Sequence, residues 1–442
     1  MGAPGGHHLK LIRAELQKCV KCGECRSVCP IFSVKQREPA VARGKLALIE
    51  AAAEGDLAPG PEFHDIVNDC LLCLACVEHC GGGVRVDRIV TAARAELAEA
   101  CGRPWLQRLL RRVMTANRRL IRRLLPGGSR MQAVLFSRIP ETSGMRRRFP
   151  LPLVDRSRFV PTLAGHPFRE RVAETLSAQR PRATVVFFTG CLTNYSYTSL
   201  AQAVVDVLNR LGVSVIIPKG QVCCGAPIEA GGDFDLARRL ARRNLRELKR
   251  FDPACKVVVC CASGGRMLKR VYPRLLAEDR RWRAAAEELA SRTLDIAEYL
   301  TQQIGIPALE SRIRQPSPVR TTYHDPCHLN RGQGVRAAPR ALLSLACGDN
   351  FVEMPDAHTC CGSGGTYGVT HRDTANRILA SKVDGIVASG AGQVATGCPG
   401  CMVQLQDGVL QKGLKTRICH TIEILARAME GETRVDTTAK KI

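Results

Sequence analysis

CVKCGECRSVCP, residues 19–30, and CLLCLACVEHCG, residues 70–81, decide how this chain is organised. Each run follows a Cys-x-x-Cys-x-x-Cys-x-x-x-Cys pattern: Cys19, Cys22, Cys25 and Cys29, then Cys70, Cys73, Cys76 and Cys80. Every cysteine of the second run lies 51 residues after its counterpart. Three thiolates at two-residue gaps wrap one face of a 4Fe–4S cube, and the fourth lies too far along to complete the same cube. The spacing therefore predicts crossed sites, Cys19, Cys22, Cys25 and Cys80 for one cluster and Cys70, Cys73, Cys76 and Cys29 for the other. Zinc takes separated pairs rather than such a run. Proline follows Cys29, as is usual in this pattern, whereas Gly81 follows Cys80.

Further along, a lone cysteine is twice followed by Cys-Cys-Gly. Cys191 precedes Cys223-Cys224-Gly225 and then Cys260-Cys261; Cys327 precedes Cys360-Cys361-Gly362 and then Cys398-Pro399-Gly400-Cys401. Cys191 maps to Cys327, Cys224 to Cys361 and Cys260 to Cys398 with shifts of 136, 137 and 138 residues, the mark of an internal duplication. Apolar runs alternate with helical periodicity in both copies. TVVFFT (184–189), VSVII (213–217) and KVVVC (256–260) read as strands in the first, and VRTTYH (319–324), NFVEM (350–354) and QVATG (393–397) in the second. Such alternation predicts a parallel α/β sheet in each copy, with cysteines gathered where strands end. The second copy keeps a full set: Cys327, Cys360, Cys361, Cys398 and Cys401. The first offers Cys191, Cys223, Cys224, Cys260 and Cys261, with one position missing or shifted; it holds a cluster with altered ligation or serves as a packing module. Cys101, Cys255, Cys347 and Cys419 fit no pattern and read as structural. His324 and His328 flank Cys327 and are placed to hydrogen-bond sulfur, whereas His420 reads as structural. No residue stands out as catalytic.

The fold class expected is α+β and multidomain. Residues 1–100 form a helical two-cluster ferredoxin domain, 101–180 a basic connection broken at Pro126-Gly127-Gly128, and 181–310 and 311–442 two tandem α/β cysteine-rich modules. With 22 cysteines, 18 of them at metal-ligand spacings, and an opening MGAPGGHHLKLIRAELQKC that lacks the apolar core of a signal peptide, reduced thiols in the cytoplasm are expected. No stretch reaches the length of a membrane span. The net charge is +24, and residues 101–150 carry 13 arginines against the single acid Glu141. Aromatics are only 4% of the chain, without the interleaving of a single-strand binder, so nucleic acid is not an expected partner. Instead WLQRLLRRVMTANRRLIRRLL (105–125) sets Trp105, Leu109, Leu110, Val113, Leu120 and Leu124 among arginines as an amphipathic helix. That pattern suits peripheral contact with the cytoplasmic face of the inner membrane.

The strings YHDPCHLNRGQGV, CCGSGGTYGV and ATGCPGCMVQLQ resemble the cysteine-rich (CCG) domain of heterodisulfide reductase subunits. That resemblance implies a noncubane 4Fe–4S cluster in the second module, and a second one in the first module if its ligation is intact. The whole order, two ferredoxin clusters and then two Cys-Cys-Gly modules, resembles the iron–sulfur subunit of glycolate oxidase and related 2-hydroxy-acid dehydrogenases. The resemblance implies an oxidoreductase subunit, inactive without its partner. It would carry electrons from a separate FAD-containing dehydrogenase subunit to a quinone or other acceptor. The alternative it implies is a heterodisulfide reductase-like subunit that reduces a disulfide at a noncubane cluster. No Gly-x-Gly-x-x-Gly fingerprint follows a strand, so flavin is expected on the partner.

Overall fold

The computed structural model describes residues 7–10, 12–58, 60–103, 105–115, 118–139, 144–147 and 158–430. The N-terminal unit is helical. Helices Ala42–Glu54 and Val86–Ala100 pack Leu46 and Ile49 against Ile89, Val90 and Leu97, with Phe63 and Val67 of helix Pro61–Asn68 closing the core. The two cysteine runs are loops laid over this core, each with one short helical turn, Glu24–Arg26 and Ala75–Glu78. They need little regular structure of their own because the helices beneath them supply the burial.

The connecting segment begins with helices Trp105–Thr115 and Arg118–Leu135. The sequence predicts a break at Pro126-Gly127-Gly128, but the second helix runs through it. A proline inside a helix costs about 3 kcal/mol. Tertiary bonds hold the far half in place: Ser129 Oγ donates to the Leu163 carbonyl (2.9 Å), Gln132 Nε2 to the Pro161 carbonyl (2.9 Å), and the Leu163 N–H to Gln132 Oε1 (2.8 Å). Three short strands follow, β1 (Phe136–Arg138), β2 (Gly144–Arg147) and β3 (Val160–Pro161), in one antiparallel sheet.

The first module is built on β4 (Thr175–Leu176), β5 (Ala183–Phe188), β6 (Val213–Ile216), β7 (Lys256–Val259) and β8 (Thr293–Asp295). Their order is β4-β6-β5-β7-β8, parallel throughout except for β4 at the edge. Val185, Val186, Phe187 and Phe188 are all buried, as a central parallel strand covered on both faces requires. The second module has β9 (Thr321–His324), β10 (Gln393–Thr396) and β11 (Arg417–His420), all parallel in the order β11-β10-β9. The predicted strand NFVEM is reduced to one parallel bridge, Phe351 to Thr321. Pro355 has no N–H for a ladder and Asp356 is left-handed (φ 52), so the chain turns away there. With that bridge included, both copies share one strand order. Their sheets bury a common core in which Val185 and Phe187 join Tyr323 and Ala395.

The helical unit is seated on both modules through charged clasps. Buried Asp87 meets Arg85 of its own loop and Arg266 of the first module, each at 2.8 Å. Arg331 and Arg336 of the second module hold Glu78. Burial pushes the Asp87 carboxyl up, but the hydrogen bond from Arg85 and the charge of Arg266 outweigh it and hold the group at about 2. A carboxyl depressed below its unfolded value of 3.8 stabilises the fold above that pH, and the contribution is lost as pH falls through 2. Asp87→Asn is therefore expected to cost about 2 kcal/mol at neutral pH. In urea denaturation the gap to wild type should narrow as pH is lowered from 4 toward 2.

Candidate iron–sulfur centres

The two N-terminal loops repeat each other in backbone as well as in sequence. Lys21 and Leu72 are left-handed (φ 56 and 54), and so are Gly23 and Leu74 (φ 94 and 64), each pair one repeat apart. Non-glycine residues rarely adopt this conformation, and it is found where a loop must turn its groups toward a site. Around the second loop, Cys29, Cys70, Cys73 and Cys76 line one cavity with Lys45. Burial, and then the neighbouring Cys327, push the Cys73 thiol up to about 12; burial raises Cys76 as well, reinforced by Cys73, Cys70 and Cys29. Cys19, Cys25 and Cys80, like Cys70 and Cys76, border the helical core, and Arg43 lies close to Cys22 and Cys25.

Buried cations accompany these thiols, and the sequence reading passed over them. Lys45 is buried in helix Ala42–Glu54 and donates to the carbonyls of Pro39 (3.0 Å) and Ala40 (2.5 Å). Burial lowers its pKa against the pull of Cys70, Asp69 and Cys29. Arg94 donates to the carbonyls of Val67, Asn68, Cys70 and Ala230. The available signal was periodicity: Lys45 falls in step with Val41 and Ile49, and Arg94 with Val90 and Leu97, on faces that are otherwise apolar. Lys382 plays the same part in the second module. It donates to the Asp356 carbonyl (2.5 Å), and burial brings it down to about 8 despite Cys361 and Cys360 nearby.

The second module brings its whole set together. Cys360 interacts with Cys327 and Cys361, and Cys401 with Cys361 and Cys398. Cys361, Cys401 and His324 present ligand atoms within 4.8 Å of one another. These thiols share negative charge. Cys361 is held well below the usual range by Cys360 and Cys401, with His324 contributing, while Cys360 is pushed well above it. Gly362 (φ 84) lets the loop pass close to the Ala375 carbonyl, which a Cβ would meet at 2.7 Å. His324 thus faces sulfur. His328 does not: its Nδ1 pairs with Ser263 Oγ (3.0 Å) and its Nε2 with the Leu72 carbonyl (3.1 Å). His420 is buried, with Nδ1 accepting from the Ile422 N–H (3.2 Å).

The first module gathers only part of its set. Cys191 and Cys224 both act on Cys223, so these three thiols form one group. Cys260 points away, its sulfur 3.8 Å from Thr193 Oγ1. The duplication therefore needs a corrected register. β7 and β10 correspond at a shift of 137, and Cys261, not Cys260, matches Cys398. Both caps are extended (φ −141, ψ 112 and φ −149, ψ 119), and each opens a helix. Gly264 consequently stands where the second module has Cys401. Of the unassigned cysteines, Cys347 and Cys419 are buried and Cys101 is exposed.

The centres are contiguous across the unit boundaries. Leu71, between Cys70 and Cys73, packs against Gly364 of the second module, and the Tyr367 hydroxyl donates to Asp69 (2.7 Å). Asp69 also holds Lys35 (2.9 Å). Cys73, Cys29, Cys327 and Cys360 share one small apolar cluster. All-thiol sets, largely buried in the second module and mostly half-buried in the N-terminal loops, accompanied by cations and with glycine where the loop approaches closely, fit iron–sulfur clusters.

A helical double-cysteine unit seated on tandem Cys-Cys-Gly sheets defines an iron–sulfur oxidoreductase of the electron-transferring class. Residues 15–84 match the 4Fe–4S dicluster domain family, and residues 185–269 and 321–406 match the CCG cysteine-rich domain family. The probable glycolate oxidase iron-sulfur subunit of Bacillus subtilis is 28% identical over 453 residues, 96% of each chain. Lactate utilization protein A of Macrococcus caseolyticus is 32% identical over 249 residues, 56% of this chain and 98% of that protein. One of the subunits of the dihydromethanophenazine:CoB–CoM heterodisulfide reductase of Methanosarcina mazei is 29% identical over 453 residues, 95% of each. The chain belongs to this family of CCG iron–sulfur oxidoreductase subunits.

Arg94→Met would leave four carbonyls without their donor and remove a buried charge beside Cys70. The expected cost is roughly 3 kcal/mol. It should be read as a lower denaturation midpoint and lower iron retention, with Arg88→Met, on the same helix, near wild type.

Proposed function

We propose that this chain is the iron–sulfur electron-transfer subunit of a multi-subunit 2-hydroxy-acid oxidase or dehydrogenase acting on glycolate or lactate. It takes electrons from a separate FAD-containing dehydrogenase subunit and passes them to a quinone or another acceptor. In this reading residues 1–100 hold two 4Fe–4S clusters, one on Cys19, Cys22, Cys25 and Cys80 and one on Cys70, Cys73, Cys76 and Cys29. Residues 101–180 connect, residues 181–310 and 311–442 are the modules, and Cys327, Cys360, Cys361, Cys398 and Cys401 hold a noncubane cluster. When bound, such clusters accept and release single electrons with little structural change.

The observation that carries the proposal is the closeness of successive sulfur sets across the unit boundary, where Cys73 and Cys327 lie near enough to raise the Cys73 thiol. The residues around them fix that spacing. The Asp69–Tyr367 hydrogen bond, the bond of His328 to the Leu72 carbonyl and the packing of Leu71 on Gly364 hold the loops together. Lys45, Arg94 and Lys382 favour negative charge on the buried sets. Relatives named for glycolate oxidase and lactate utilization support the substrate class. The full-length match to a heterodisulfide reductase component supports the second reading, disulfide reduction at the second module.

Anaerobic purification with iron and sulfide analysis and EPR tests the proposal. Two cubane signals, a distinct third signal, co-purification of a flavoprotein and reduction of the centres by glycolate or lactate are expected. Zinc in place of iron, with no reducible centre, would overturn it. Reduction of a thiol heterodisulfide, with no response to hydroxy acid, would favour the second reading.

Helix Trp105–Thr115 supports the peripheral contact. Arg111 pairs with Asp233 (2.9 Å) and Arg103 donates to the Gly231 carbonyl (3.2 Å), which fastens this stretch to the first module. Trp105, Leu109 and Val113, in step along one face, remain 53%, 48% and 52% exposed. Among the described residues no helix is long and apolar enough to cross a membrane. Flotation with anionic vesicles should retain the wild-type protein at low salt and lose Trp105→Ser/Leu109→Ser. Equal behaviour of the two would remove the membrane contact.

A further inference from the structure

We propose that Cys261, contributed by the first module, is a direct sulfur ligand of the second module's iron–sulfur centre, so that this centre is a site shared by both copies. The inference rests on the reading of Cys327, Cys360, Cys361, Cys398 and Cys401 as the ligands of that centre.

Backbone geometry separates the adjacent cysteines. At Cys261 the chain is extended (φ −141, ψ 112), and side chains along an extended chain point to opposite sides. Cys260 turns to Thr193, inside the core shared by the two sheets. Cys261 turns the other way. It packs against the cluster of residues that holds Cys361, Cys398 and Cys401, and Cys398 is the thiol that acts on it most strongly. The two residues that match each other in the duplication, Cys261 and Cys398, therefore meet face to face where the copies join.

The neighbours of Cys261 hold it there. The Ser263 N–H donates to Cys398, and Ser263 Oγ pairs with His328, the residue after Cys327. Gln333 Nε2 donates to the Ala262 carbonyl at 2.9 Å. Residues 261–265 are thus pinned along the helix Cys327–Gln333, which opens with a ligand of the second set. The first module offers a weaker claim. With Gly264 in the position of Cys401, it has no second thiol in this turn to share a metal with Cys261; Cys261 also borders the apolar cluster that holds Cys224, but its strongest interaction is with Cys398 and that with Cys224 is weaker. A soft sulfur donor beside five others completes a thiolate set more readily than an isolated one does.

Cys261→Ala and Cys261→Ser test this in the full chain purified anaerobically, alongside Cys191→Ala and Cys401→Ala. The readouts are iron content and the EPR line of the module-two centre. The expected result is loss or altered g-values of that line in both Cys261 variants, as in Cys401→Ala, with the two cubane lines retained and Cys191→Ala leaving the module-two line intact. Cys261→Ser preserves side-chain size, and circular dichroism matching wild type shows that it folds. An unaltered module-two line in Cys261→Ser beside a lost one in Cys401→Ala overturns the inference while leaving the proposed function standing. So does a Cys261 effect confined to a signal that Cys191→Ala also removes. A wild-type protein without any module-two line brings down the underlying reading and this inference with it.

Discussion

Buried thiolates need compensation. Negative charge taken out of water is unfavourable by several kcal/mol unless cations or hydrogen-bond donors lie beside it. This chain stacks several thiol sets inside one structure, and the rest of the fold answers that demand. Lys45 and Arg94 come up from beneath the second N-terminal loop and Lys382 from beneath the second module. Each cation is itself tied to backbone carbonyls, so it cannot swing out to solvent. The helical unit has to sit on the modules because its loop and theirs share an apolar wall, with Cys29 and Cys73 on one side and Cys327 and Cys360 on the other.

The clasps around that wall differ in kind. Asp87 with Arg266 joins the helical unit to the first module, Glu78 with Arg331 and Arg336 joins it to the second, and His328 touches both. One histidine thereby links Leu72, Ser263 and, along the chain, Cys327. Burial lowers its pKa to about 4, so the ring is neutral at physiological pH, as a residue with one bonded nitrogen on a hydroxyl and the other on a carbonyl requires.

Much of this was legible from spacing alone. The shift of 51 residues between the cysteine runs reappears as left-handed backbone at Lys21 and Leu72. The strand ends before Cys191, Cys327 and Cys398 follow from alternating apolar runs. Spacing read less well where tertiary forces decide. Hydrogen bonds to residues 161–163 carry a helix through Pro126-Gly127-Gly128. Pro355 cuts NFVEM to a single bridge. The adjacent pair Cys260-Cys261 left the register of the duplication ambiguous by one residue, and only the strand pairing of β7 and β10 resolves it. Lys45 and Arg94 fall on apolar helix faces by periodicity, but they and Lys382 are easily passed over as partners because charge on an amphipathic helix is ordinarily taken to face solvent.

The crossing of the two N-terminal runs has a consequence for biosynthesis. Cys29 sits among Cys70, Cys73 and Cys76, so in the proposed crossed assignment the earlier run lends a thiol forward and takes Cys80 in return. A nascent chain that has emerged only through the first run exposes four reactive thiols and owns no finished site. On that assignment, maturation waits until the later run leaves the ribosome, and then both sites become available for metal loading together.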